Sequence, residues 1–105
     1  MNAVIERNQA QLGQIVKVLR GRDTEKVAVI VGIVDERFVL LADGDKRKFD
    51  QPKRKNLLHL QLQNVISREV VESLKETGRV TNGKLRYAVN KFVENEQAEA
   101  LEKGE

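Results

Sequence analysis

The sequence has no cysteine, which excludes disulfides, thiolate zinc sites and cysteine nucleophiles together and fits a reducing, cytoplasmic setting. Histidine occurs once, at His59, with no second histidine or cysteine to share a metal, so no metal site is expected. No apolar run approaches the ~20 residues that a membrane span needs. Met1 to Gln11 lacks the basic-then-apolar pattern of an export signal, so neither membrane insertion nor secretion is expected. The phosphate-cradling patterns GxxxxGKS and GxGxxG are absent, and there is no internal repeat or low-complexity linker. The acidic pairs Asp35/Glu36 and Asp43/Asp45 fall in turns, where acidic side chains are ordinary. No cofactor and no small-molecule substrate is expected, and an enzyme would need a site that the sequence does not contain.

What is present is a short, charged chain. Its 105 residues fit one domain with a thin core. Nineteen Lys and Arg face sixteen Asp and Glu, a net charge of +3 that is unevenly spread. Residues 1–66 carry twelve basic and eight acidic side chains, whereas residues 67–105 carry seven and eight. Concentrated basic charge on a small domain points to nucleic acid. A merely soluble protein with a basic face is the plainer reading of charge alone.

The first 66 residues read as β-structure behind a polar lead-in, in which Val4 and Ile5 are candidates to dock. Ile15, Val16, Val18 and Leu19 make a first strand. Val27 to Val34 make a second, rich in β-branched residues, and Phe38 to Leu41 a third. A polar, glycine-led connection, 21–26, joins the first two. Asp35-Glu36-Arg37 is short enough for a tight hairpin. Strands apolar on both faces suit a small sheet curled and closed on itself. Gly32 inside the second strand fits a bulge or a sharp bend.

Asp43-Gly44 signals a turn. Six of the ten residues from Lys46 to Lys55 are basic and read as a loop, stiffened at Pro52. Leu58, Leu60 and Leu62 then alternate with His59, Gln61 and Gln63 as a strand with one wet face, placing His59 opposite the leucines.

At Ser67, a candidate N-cap, the period changes. Val70, Val71 and Leu74 fall at helical spacing, and Gly78 is a candidate stop. A second helix is expected from about Thr81, with Leu85, Ala88, Val89, Phe92 and Val93 as its apolar stripe and Val80 stapled to Leu85. Residues 94–105, with five glutamates and one lysine, are expected to fray into an acidic tail. About five short strands followed by two helices make an α+β fold, a β-barrel (1–66) with a helical extension (67–105) forming one compact unit.

The segment from Gly13 to Leu41, GQIVKVLRGRDTEKVAVIVGIVDERFVLL, resembles a KOW motif: strand, glycine-containing polar loop, strand, with Gly21 as the central glycine. Continued through KRKNLLHL, it is similar to the large-subunit ribosomal proteins fourteen-e and twenty-seven-e of archaea and eukaryotes and to their bacterial KOW relatives, over roughly residues 12–64. The resemblance implies an SH3-like β-barrel, RNA contact through the loops, and no catalysis. Glu25 stands where many KOW loops carry a second glycine, and Ala28 where they carry another. Either the loop turns differently here or Glu25 accepts some strain.

The candidate RNA-binding residues form two groups. Arg20, Arg22 and Lys26 flank Gly21, whose missing Cβ lets an RNA backbone come close, and arginine adds a fork suited to bidentate contact or stacking. Lys46, Arg47, Lys48, Lys53, Arg54 and Lys55 form the strongest electrostatic feature, suited to phosphate neutralisation. Phe49 between the two basic triplets is either a core residue or a platform for an unpaired base. Lys84, Tyr87 and Lys91 share a helix face that is either solvated or an extension of the basic surface. The expected partner is RNA, ribosomal RNA foremost, with ribosomal proteins as further neighbours. A protein-interaction module of the transcription or translation machinery is the alternative reading, motivated by Glu25 and the glutamate-rich end. Duplex DNA is a third, for which no base-reading helix stands out.

Overall fold

The computed structural model describes residues 9–22 and 24–103. Val4, Ile5 and Asp23 lie outside the described residues. Five strands, β1 (Gln14–Val18), β2 (Val27–Ile33), β3 (Phe38–Ala42), β4 (Lys53–Asn56) and β5 (Leu60–Ile66), are followed by two helices, α1 (Arg68–Thr77) and α2 (Asn82–Lys103). The architecture is α+β, as expected. The strands form one antiparallel sheet in the order β4-β3-β2-β1-β5. The sheet is barrel-like but not closed: β4 and β5 are its two edges, joined by a 3-10 turn, Leu57–His59.

Both faces of the central strands are apolar because each face has its own cover. Val16, Val18, Ala28, Ile30, Val39, Leu41 and Leu60 pack together on the inner side of the curl. Ile15, Val29, Val31 and Ala42 point the other way and meet Val70, Leu85 and Ala88 from the helices and Val80 from the turn between them. The alternation of side chains along a strand makes this division. Curling on itself, the expected explanation, accounts for one face, and the helices account for the other. Each fully buried aliphatic side chain, Ile15, Ile30 and Leu85 among them, contributes about 1.5–3 kcal/mol by leaving water.

The local signals read from the sequence mostly hold. The register of β2 on β3 slips between Ile30 and Gly32, which is the expected bulge. The Ser67 hydroxyl accepts from the Val70 N–H at 3.3 Å, and α1 stops at Gly78 with φ 74°. Gly44, at φ 81°, lies so close to α2 that a Cβ there would sit 2.2 Å from the Asn82 carbonyl oxygen. The Arg86 guanidinium donates to the Gly44 carbonyl at 2.7 Å and closes this junction.

Three expectations are corrected. Lys53–Asn56 is a strand rather than part of a loop, because β3 offers it an open edge: Leu41 pairs with Lys53 and Val39 with Lys55. Leu58 is not an inward member of an alternating strand. Asn56 caps the 3-10 turn, its side-chain oxygen accepting from the Leu58 N–H at 2.9 Å, and the turn leaves Leu58 82% exposed. Residues 94–103 continue α2 rather than fray. Glutamate, alanine, glutamine and leucine are good helix formers, and the Glu96 carboxylate is held by the Lys17 ammonium from β1.

Candidate nucleic-acid interface

The β1–β2 connection is a tight turn anchored by its own backbone. Gly21, at φ 101°, accepts through its carbonyl from the Thr24 N–H at 3.2 Å and from the Thr24 hydroxyl. Glu25 takes φ 71°, and its N–H donates to the Val18 carbonyl. Of the two ways in which the departure at this position was open, the structure takes the strained one. Arg20, Arg22 and Lys26 are all exposed around this turn.

The loop after β3 is shaped by Asp43. Its carboxylate accepts from the Asp45 N–H at 2.8 Å and the Arg47 N–H at 2.9 Å, an Asx-type turn that folds the first basic triplet back toward the sheet. The Arg47 guanidinium reaches the Gln51 carbonyl at 3.4 Å. The second triplet is then split by strand alternation. Lys53 and Lys55 pair with Leu41 and Val39 and share their face, whereas Arg54 is turned to the other. There its guanidinium lies 4.1 Å from the centroid of the Phe38 ring, a cation–π contact.

Three separate segments converge in consequence. Lys26, Lys46, Arg47, Lys53 and Lys55 line one hollow of about 70 Å³, floored by Val18, Ala28 and Leu41. Lys55 ties the two predicted groups together, since a Cβ at Gly21 would lie 2.9 Å from its ammonium nitrogen. Asp43 also borders the hollow, with its carboxylate engaged by backbone N–H groups. Among the described residues Lys46, Lys48 and Lys55 make no ion pair. A low-dielectric floor under clustered cations strengthens their field at the opening. The arrangement is suited to holding phosphate oxygens, and it contains no nucleophile–base pair.

The remaining predicted residues are not brought in. Lys48 is exposed but does not line the hollow, and Arg54 faces away from it. Phe49 packs against the helix-side core, with the Arg79 guanidinium 5.4 Å from its ring centroid, and is not a free stacking platform. Asp50, whose charge would weaken the cluster, pairs instead with Arg79 at 3.0 Å. Lys84 donates to the Ser73 hydroxyl at 2.7 Å, and Lys91 lies 5.8 Å from the Tyr87 ring centroid, both on the helical side. Arg37, in the expected β2–β3 hairpin, also lies outside the hollow. It shares that turn with Asp35, whose carboxyl is held below its ordinary value by the Arg37 and Phe38 N–H groups and then by the charges of Arg54 and Arg37.

No family model matches the chain. Over 71 residues it is 46% identical to a protein of Bacillus subtilis (strain 168) named "Putative ribosome-binding protein YbzG", a match that covers 68% of this chain and 96% of the relative. The chain belongs to the YbzG family. About a third of the chain lies outside the match. Among the described residues no helix is long and apolar enough to cross a membrane.

Proposed function

We propose that this protein associates with the ribosome, in the cytoplasm, by binding ribosomal RNA through the hollow on the β4 side of its sheet. The observation that carries the reading is the convergence of Lys26, Lys46, Arg47, Lys53 and Lys55 from three segments beside Gly21. The name of its YbzG relative supports ribosome association. The resemblance of residues 12–64 to KOW-containing ribosomal proteins, on an SH3-like barrel, supports RNA as the molecule contacted.

Phosphate oxygens of folded RNA enter the hollow and meet Lys53, Lys55 and Arg47. Arg20 and Arg22 reach further along the backbone from the rim. Recognition is by charge and shape rather than by base edges, and the protein acts by binding, without catalysis. Sedimentation of the tagged protein in lysate tests the reading. Co-migration with the large subunit, abolished at high salt or after RNase, is expected. Migration at the top of the gradient under every condition would remove the ribosome from the account.

A further inference from the structure

Strand alternation keeps Arg54 out of the hollow that Lys53 and Lys55 enter, and its surroundings differ in kind from theirs. Its guanidinium lies 4.1 Å from the centroid of the Phe38 ring. At that separation one side of the cation is covered by the ring, while Arg54 itself is exposed. Among the described residues it makes no ion pair. Asp35, in the adjoining turn, is close enough for the charge of Arg54 to lower its carboxyl. The cation is thus offset by a carboxylate, which disfavours a phosphate here and leaves an uncharged base unopposed. A planar cation with one side free is a stacking surface for a nucleobase.

The same end of the sheet offers apolar contact. The turn capped by Asn56 holds Leu58 82% exposed, on the wall of an open hollow of about 700 Å³ that Arg37, Asn56 and Leu57 also line. Asn56 pairs with Phe38, so this second hollow adjoins the Arg54–Phe38 contact. β4 is an edge of the described sheet, and a polynucleotide passing over it touches both of its faces.

We propose that RNA crosses the β4 edge with a phosphate in the basic hollow and a neighbouring unpaired base stacked on Arg54, the next base meeting Leu58. This contact rests on the RNA-binding reading above and narrows it to RNA with unpaired nucleotides: bulges, loops and single strands. In a duplex the bases lie stacked on one another and are out of reach. Phe38 restrains the long arginine side chain before RNA arrives, which lowers the ordering cost of the contact. Stacking takes the face of a base and not its edge, so the site discriminates paired from unpaired RNA without reading sequence.

The test uses the full chain with an RNA duplex, the same duplex carrying a bulge, and the single strand, all at one salt concentration. The bulged and single-stranded RNAs are expected to bind about tenfold more tightly than the duplex. Arg54→Lys keeps the charge and removes the plane. It should abolish that preference and leave duplex affinity and Tm unchanged. The Arg54 Nε–H resonance should move to lower frequency with bulged RNA, through the ring current of the stacked base, and stay in place with duplex. Lys55→Ala should weaken all three RNAs alike, which reports on the basic hollow alone. An Arg54 resonance that bulged RNA does not move, or a preference that survives Arg54→Lys, would overturn the stacking contact while the Lys55→Ala loss leaves the hollow standing. Failure of every RNA to bind would overturn both readings. An Arg54 resonance moved by a tyrosine-bearing peptide and not by RNA would overturn the contact in favour of a protein aromatic group.

Discussion

Glu25 is the one described residue other than glycine that holds a positive φ. A side chain there costs roughly 1–2 kcal/mol against a right-handed conformation, and it places a carboxylate next to Lys26 where phosphate is proposed to approach. Glu25→Gly removes both penalties, offset in part by the greater freedom of glycine in the unfolded chain. Stability is expected to rise by up to about 1 kcal/mol, seen as a Tm increase of about 4–8 °C at most, with tighter RNA binding. A lower Tm would show that the side chain makes a compensating interaction. Asp35 offers a second check at the same scale. Its carboxyl is held below the ordinary 3.8 by backbone N–H groups of its own turn. A depressed carboxyl stabilises the fold above the unfolded value, and that contribution disappears as pH falls through the folded value. An NMR titration should place the Asp35 midpoint below 3.8, and Asp35→Asn should remove its share of the acid sensitivity.

Among the elements, α1 was the most legible because its ends carry their own chemistry. Ser67 caps it and Gly78 ends it in a left-handed turn. Ser67→Ala should cost about 0.5–2 kcal/mol, measured by urea unfolding, and Ser67→Asp should restore most of it. β4 was not legible. Lys-Arg-Lys-Asn has neither apolar alternation nor β-branched residues, and it is a strand only because β3 presents unpaired backbone beside it. α2 was half legible. Its apolar stripe marked the packed portion, whereas its last turns are glutamate-rich and looked like a tail. They continue the helix through good propensity and the tie from Glu96 to Lys17. Glu96→Ala should raise amide exchange over residues 97–101 while leaving residues 85–92 protected, since Leu85 and Ala88 are buried in the core and Phe92 packs against it.

At the scale of the molecule, cations from three segments gather at the β4 side. RNA is therefore expected to approach from one side, with a salt dependence set by the phosphates neutralised there. Replacing Lys53 and Lys55 by alanine should weaken RNA binding and flatten the log–log salt slope by about 0.7–0.9 for each phosphate that is no longer neutralised. Lys48→Ala and Arg54→Ala, outside the hollow, should change the slope much less. Equal effects at all four positions would mean that a diffuse basic surface, not the hollow, holds RNA.

Composition, periodicity and punctuation by themselves determined the α+β class, four of the five strands, both helices with the caps of α1, and the two groups of basic residues. Each of these is set by neighbours in sequence: side-chain alternation, helical spacing, or a glycine at a left-handed position. Only the tertiary structure decided which cations lie together. Strand pairing sent Lys53 and Lys55 to one face and Arg54 to the other, and the closure of the Gly21 turn against Lys55 joined the two groups. It also decided which strands are the edges of the described sheet, because an edge is defined by what lies beside a strand and not by the strand's own residues.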